Sequence, residues 1–214
     1  MEHPLAQLFA DAAFARWRGG GASLRVFAPA PGRAMAIVGL PGMHAIASSV
    51  SEGWVRERLA GDLMGPLNPR FIAALARELG RVDDGLDLVL AARGMRGKPA
   101  LRETSLVDHP RLARAAAHRS EVKTFTDNAG DAVLAVGRGL AGRFEVSVEV
   151  APDARGRGVA RLALTEARRL VCSDAALFAQ AAPANASSVR ALLAAGFAPI
   201  GAEVLFFEGD RATT

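Results

Sequence analysis

Tyrosine is missing from the 214 residues of this chain, cysteine occurs once, and lysine only at Lys98 and Lys123. Each scarcity excludes something. A lone thiol, Cys172, cannot form an internal disulfide or a cysteine-based metal cluster, so a small core residue in a reducing compartment is its expected role. No window reaches the roughly 18 uninterrupted apolar residues of a membrane span, and Met1-Glu2-His3-Pro4 lacks the basic and apolar regions of a secretion signal. A cytoplasmic chain without a membrane partner is expected. Aromatics make up 6% of the residues and arginines are scattered among acids, so a net charge of +4 does not amount to a one-sided, stacking nucleic-acid surface. No nucleic-acid partner is expected. What the chain does have is a 50% hydrophobic composition, enough to bury a sizeable core.

Residues 5–18 predict an amphipathic helix that stops before the flexible Gly19-Gly20-Gly21. Apolar runs at Leu24–Phe27, Ala34–Val38 and His44–Ser49, separated by Pro31-Gly32 and Pro41-Gly42, predict an antiparallel meander. Ser51 suits the cap of a helix over Glu52–Leu59, while Asn68, Pro69 and Gly80 suit the cap, start and end of one over Pro69–Leu79. Leu86–Ala92 reads as a strand. The polar stretch Arg93–Ser105, broken by Gly94, Gly97 and Pro99, reads as a loop and sets a boundary between an N-terminal region, 1–115, and a C-terminal unit, 116–214. Asp108–Arg119 suits a short helix. Strands over Val122–Phe125, Ala132–Val136 and Phe144–Val150 are followed by helix Gly158–Val171, strand Ala175–Ala181, helix Ser187–Ala195 and strand Ala202–Phe207. That alternation favours an α/β sheet with helices packed against it.

The most informative segment is Val150-Ala151-Pro152-Asp153-Ala154-Arg155-Gly156-Arg157-Gly158-Val159-Ala160-Arg161. A strand ends, two glycines let the backbone approach a ligand, and a helix begins whose unpaired amides and dipole favour an anion such as a pyrophosphate. Tight strand–helix packing and an Arg-Gly-Arg-Gly RNA-binding tail are the bland alternatives, but a disordered tail would not run straight into an amphipathic helix. A Rossmann loop wants a third glycine where Arg161 stands, and a P-loop wants Gly-Lys-Ser/Thr after a longer gap. The segment resembles the GNAT acetyltransferase superfamily, whose signature Gln/Arg-x-x-Gly-x-Gly/Ala is matched by Arg155 to Ala160 behind the usual Val-x-Pro. A second stretch at family spacing, Asn185-Ala186-Ser187-Ser188 with Gly196-Phe197 after it, is similar to that superfamily's Asn-x-x-Ser/Ala helix. Physically it is a helix capped by Asn185, with Gly196 at its left-handed end.

The resemblance covers roughly Val122–Phe207 and implies the GNAT acyl-CoA acyltransferase fold, α/β (α+β), with a mixed, mostly antiparallel central sheet and flanking helices. It further implies acetyl-CoA or another acyl-CoA as co-substrate, no metal, and a homodimer as a common state. By resemblance, amides of Arg155, Gly156, Arg157, Gly158, Val159, Ala160 and Arg161 cradle the CoA pyrophosphate. The edge of the strand carrying Val148 and Val150 meets the pantetheine arm, Asn185 borders the cofactor, and Gln180 contacts substrate.

The chain also departs from the family. The position on the Asn185 helix where many members carry a general-acid tyrosine is Leu192, and the position of another catalytic glutamate is Gln180, which cannot take a proton. Expectation for the base therefore falls on Glu145 and Glu149. They alternate with Phe144, Val146, Val148 and Val150 and so point, with Ser147, to one side of the sheet, unless the bulge common in this strand of the family turns one over. Alternating charge on a solvated face is the ordinary alternative, and His44, His109 and His118 lack recognisable partners. The expected activity is direct transfer of an acetyl or short acyl group to a small-molecule or peptide amine. A catalytically silent acyl-CoA-binding module is the alternative suggested by Leu192 and Gln180. The N-terminal region would supply acceptor specificity or be a degenerate GNAT-like part, an arrangement similar to glycine acyltransferases.

Overall fold

Helix ends follow the capping residues. In the computed structural model, which describes residues 2–16, 22–32, 34–63, 65–105 and 109–209, the helices are α1 (Pro4–Ala13), α2 (Glu52–Leu59), α3 (Pro69–Leu79), α4 (Pro110–His118), α5 (Val159–Ala167) and α6 (Ala186–Ala194). Ser51 and Asn68 side chains accept from the first-turn amides of α2 and α3, and Gly80 adopts the left-handed conformation that ends α3. α1 is shorter than expected, because Phe14 leaves helical geometry and Ala15 takes a positive φ of 51°. Gly19-Gly20-Gly21, and the expected helical positions Trp17, Arg18 and Asp108, lie outside the described residues.

The strands are β1 (Ser23–Phe27), β2 (Met35–Leu40), β3 (Met43–Ala47), β4 (Val82–Arg93), β5 (Arg102–Thr104), β6 (Ser120–Thr126), β7 (Ala132–Arg138), β8 (Phe144–Val150), β9 (Ala176–Ala181) and β10 (Ala198–Phe207). They form one sheet in the order β1-β3-β2-β10-β4-β9-β8-β7-β6-β5. β1 with β3 and β8 with β9 are parallel, and the other ladders are antiparallel. The class is the expected one, a mixed, mostly antiparallel sheet flanked by helices.

Two expectations fail. The first three strands are not a meander: Pro41-Gly42 closes a β2–β3 hairpin, but the longer connection after β1 lets β3 lie between β1 and β2, so β1 pairs with β3 in parallel. Nor is Arg93–Ser105 all loop, since Arg102–Thr104 adds a short edge strand to β6. Its polar sequence, R-E-T, satisfies the ladder through the backbone and leaves no apolar period to read.

Register assigns the faces. α2 and α3 pack through Val55, Leu59, Phe71 and Leu75 on Ile37, Ile46, Val204 and Phe206. α5 and α6 pack through Ala163, Leu164 and Leu192 on Leu90, Leu134, Val146 and Leu177. Ile37 pairs with Val204, Val204 with Leu86, and Leu88 with Ala181, so these two clusters share one side. α1 and α4 cover the other, with Phe9 on Phe178 and Leu112 and Ala115 on Ala135.

Candidate functional site

β8 and β9 begin as neighbours and then part. They pair at Phe144 with Leu177 and Glu145 with Phe178, after which β9 continues to Ala181 along β4 while β8 continues to Val150 along β7. A gap therefore opens between two strands in the middle of a sheet. In the β7–β8 ladder Gly139 N–H donates to Arg143 O and Ala151 N–H to Asp131 O, so odd-numbered residues of β8 bond to β7. The N–H and C=O groups of Val146, Val148 and Val150 consequently point into the gap. One of these, Val150 O, accepts from Arg155 Nε at 3.2 Å.

The Arg155–Arg161 loop closes the wide end of that gap. Pro152–Ala154 makes one turn of 3-10 helix, Gly156 and Gly158 adopt φ of +77° and +79°, and Gly158 is the residue from which α5 departs. Among the described residues, the amides of Gly158, Val159, Ala160 and Arg161 donate to no carbonyl, while Leu162 N–H returns to Gly158 O. No neighbouring atom stands within 4 Å of where a Cβ would project from either glycine, so the backbone lies open to an approaching ligand. Arg157 Nη2 ties back to Asp131 at 2.9 Å and leaves these amides uncovered. Orphan amides, a helix dipole and open strand edge together fit a pyrophosphate followed by an extended amide-bearing arm.

Asn185 Oδ1 accepts from Ser188 N–H at 3.1 Å, and the left-handed Gly196 ends α6. Phe197 folds back into the core beside Leu192, its amide donating to Leu192 O. Leu192 is buried in that core.

On the α1/α4 side of the gap lies a charged cluster (Glu145, Ser147, Gln180 and Glu203, with Arg119 and Arg143) of which the sequence reading named three members. The β7–β8 register is continuous, so no bulge turns either glutamate over. Glu145 is buried; its Oε1 accepts from Arg143 Nε at 2.7 Å and its Oε2 from Arg119 Nε at 2.9 Å. Burial alone would raise its pKa, but the two guanidiniums outweigh it and hold the carboxyl below its ordinary range. Arg119 also donates to Ser147 Oγ at 3.2 Å. Arg143 lies over the Phe9 ring, 4.3 Å from its centre, and binds both carboxylate oxygens of Glu203. Burial works against its charge, yet Glu203 and Glu145 raise its pKa. Gln180 Nε2 donates to Glu203 at 3.2 Å. Glu149 is more open and pairs with Arg111 of α4 at 3.3 Å.

Sequence reasoning missed Asp87, Arg119, Arg143 and Glu203. Two carried a signal: Glu203 interrupts Ala202-Val204-Leu205-Phe206, and Asp87 interrupts Leu86-Leu88-Val89-Leu90, each an acid inside a run otherwise apolar enough for a central strand. Asp87 is half-buried opposite Glu203, and burial, then Glu203 and Asp84, push its pKa up to about 6 against a smaller pull from Arg114. His118 of α4 packs edge-on to Phe207 at 4.1 Å, its pKa lowered by burial and then by Arg114. An open cleft lined by Phe14, Arg16, Arg93 and Asp174 lies at the opposite end of β4. Among the described residues, no three His, Cys, Asp or Glu side chains are grouped to hold a metal ion, and no helix is long and apolar enough to cross a membrane.

No family model and no curated protein matches the chain. Several solved structures are similar at a distance. A GNAT-family protein from Novosphingobium aromaticivorans is 17% identical over 61% of this chain and 69% of its own, with a TM-score of 0.41. A GNAT-family acetyltransferase from Colwellia psychrerythraea is 12% identical over 78% and 77%, with a TM-score of 0.42. A GCN5-related N-acetyltransferase from Kribbella flavida is 15% identical over 66% and 65%, with a TM-score of 0.38. All three similarities are remote, so what the site does has to come from its own geometry.

Proposed function

We propose that this chain is a GNAT-type N-acyltransferase that moves an acetyl or other short acyl group from acyl-CoA to an amine. The observation that carries the reading is the divergence of β8 from β9 directly before the Arg155–Arg161 loop, which joins an open strand edge to a run of orphan amides. Amides of that loop would hold the pyrophosphate, the free groups of Val146 and Val148 the pantetheine arm, and Asn185 would keep α6 alongside. When bound, acyl-CoA supplies an activated thioester to an attacking amine.

The chain's own residues divide the remaining tasks. The thioester end of the gap lies where β8 and β9 meet, beside Ser147 and Gln180. Of the two glutamates expected as bases, Glu145 has both oxygens committed to arginines and serves as an anchor. Glu149 lies four residues further along β8, toward the Arg155–Arg161 loop, and has a single arginine partner. Residues 1–115 supply α1, β4 and the first part of α4, which wall the acceptor side, so they are the proposed source of specificity while 116–214 carries the cofactor site.

A module that binds acyl-CoA without transferring the acyl group is the second reading, favoured by Leu192 in the core and Gln180 tied to Glu203. Calorimetric titration with acetyl-CoA, followed by thiol release with a panel of primary amines, separates the two. Acetyl-CoA is expected to bind, with affinity reduced about tenfold or more, some 1.4 kcal/mol, by Gly158→Val. Absence of binding at millimolar acetyl-CoA would sink both readings; binding without thiol release to any amine selects the second.

A further inference from the structure

We propose that Asp87 is the residue that takes the proton from the attacking amine, an assignment that rests on the acyl-transfer reading. Around the gap, the α1/α4 face of the sheet and its margin carry five carboxylates, and four are committed. Glu145 is held by Arg143 and Arg119, Glu203 by Arg143 and Gln180, Glu149 by Arg111, and Asp84 by Arg114 at 2.6 Å. Among the described residues the Asp87 carboxylate has no hydrogen bond or ion pair, so its oxygens are free to accept. Accepting a proton requires that freedom, and the two glutamates expected as bases lack it to different degrees.

Register puts Asp87 beside the gap. It stands opposite Glu203 on β10, while Val89, two residues along on the same side of β4, stands opposite Gln180 on β9. Asp87 and Gln180 are therefore diagonal neighbours about 7–8 Å apart at the backbone, with their side chains on one face. An amine held by the Gln180 amide lies between Asp87 and the meeting point of β8 and β9. The charged groups acting on Asp87 are Glu203 from β10, Asp84 on its own strand and Arg114 from α4, with His118 of α4 next to the same Arg114 and Asp84. Burial first, then Glu203 and Asp84, raise its proton affinity, and Arg114 lowers it. A carboxylate tuned toward neutrality accepts a proton near pH 7 more readily than an ordinary one and still releases it to water.

As the amine nitrogen bonds to the thioester carbonyl carbon, its proton passes to an Asp87 oxygen. The carbon–sulfur bond breaks, the thiolate leaves and is protonated by water, and Asp87 returns its proton to solvent. Amide and free thiol are the products, with no further reactant required.

The test is the pH dependence of kcat/KM for thiol release from acetyl-CoA, with the best acceptor from a panel of ethanolamine, glycine methyl ester, spermidine and a lysine-containing peptide. The full chain is expected to lose activity below about pH 6, where Asp87 is protonated. Asp87→Asn is expected to lower kcat about 100-fold or more and to abolish that acidic limb, with acetyl-CoA affinity unchanged. Asp84→Asn, an exposed substitution, is expected to move the limb to lower pH because one repulsion goes and Arg114 is released. If Glu149→Gln removes the limb and Asp87→Asn does not, Asp87 is overturned and acyl transfer stands. If acetyl-CoA binds and no amine releases thiol at any pH, the acyl-transfer reading and this assignment fall together.

Discussion

The Arg143 guanidinium grips both carboxylate oxygens of Glu203 at 2.8 and 2.5 Å across sixty residues of sequence, with Arg143 and Glu203 both buried. Each buried ion costs several kcal/mol to desolvate, so the pair holds only because every oxygen has a donor. Arg143→Met leaves Glu203 with Gln180 and Glu145 with Arg119 alone. A loss of about 3–5 kcal/mol in urea unfolding is expected. Arg143→Lys should recover little of it, because an ammonium cannot form the two parallel bonds. A loss below 1 kcal/mol for Arg143→Met would show that the network contributes nothing to stability.

Asp87 makes stability depend on pH in a definite direction. Its folded pKa of about 6 lies above the unfolded value of roughly 3.9, so the folded state binds the extra proton between these limits. The native state is therefore progressively destabilised as pH rises from about 4 to 6, and remains so above. Asp87→Asn removes the penalty. Urea midpoints are expected to match those of the parent at pH 3.5–4 and to exceed them at pH 8; equal midpoints at both would contradict the raised affinity. An inactive variant that is more stable at pH 8 would also separate loss of chemistry from loss of fold.

Gly139 is needed for lack of a side chain. Its φ of −101° suits any residue, but a Cβ there would stand 2.1 Å from the Glu145 carboxyl carbon. Gly139→Ala is expected to cost about 1–3 kcal/mol by overpacking, read as a lower Tm. An unchanged Tm would mean that Glu145 can move without losing its arginines.

A tyrosine placed at position 192 is not expected to supply a general acid. Leu192 is 4% exposed among Leu164, Ala195 and Phe197, so Leu192→Tyr would push a hydroxyl into an apolar core. A loss of about 1–3 kcal/mol without a gain in kcat is expected. A rise in kcat would place position 192 beside the thioester.

Local chemistry was legible in the chain. The caps at Ser51, Asn68 and Asn185, the left-handed Gly80 and Gly196, the bounds of β8 and the two-glycine loop all depend on residues within a few positions of one another, so turn chemistry and period determine them. The orientation of Glu145 and Ser147 to one side followed from strand alternation for the same reason. What each glutamate meets on that side was not legible, because Arg119, Arg143 and Glu203 reach it from other strands. Strand order was equally hidden: β10, last in sequence, lies between β2 and β4, and no local pattern encodes which edge it joins. The sequence by itself therefore determined most of the elements, their caps and the two-glycine turn that opens α5. Tertiary structure decided which carboxylates beside the gap are neutralised and that, of those among the described residues, the Asp87 side chain is left free, since proton affinity depends on charges and burial contributed by segments far apart in the chain.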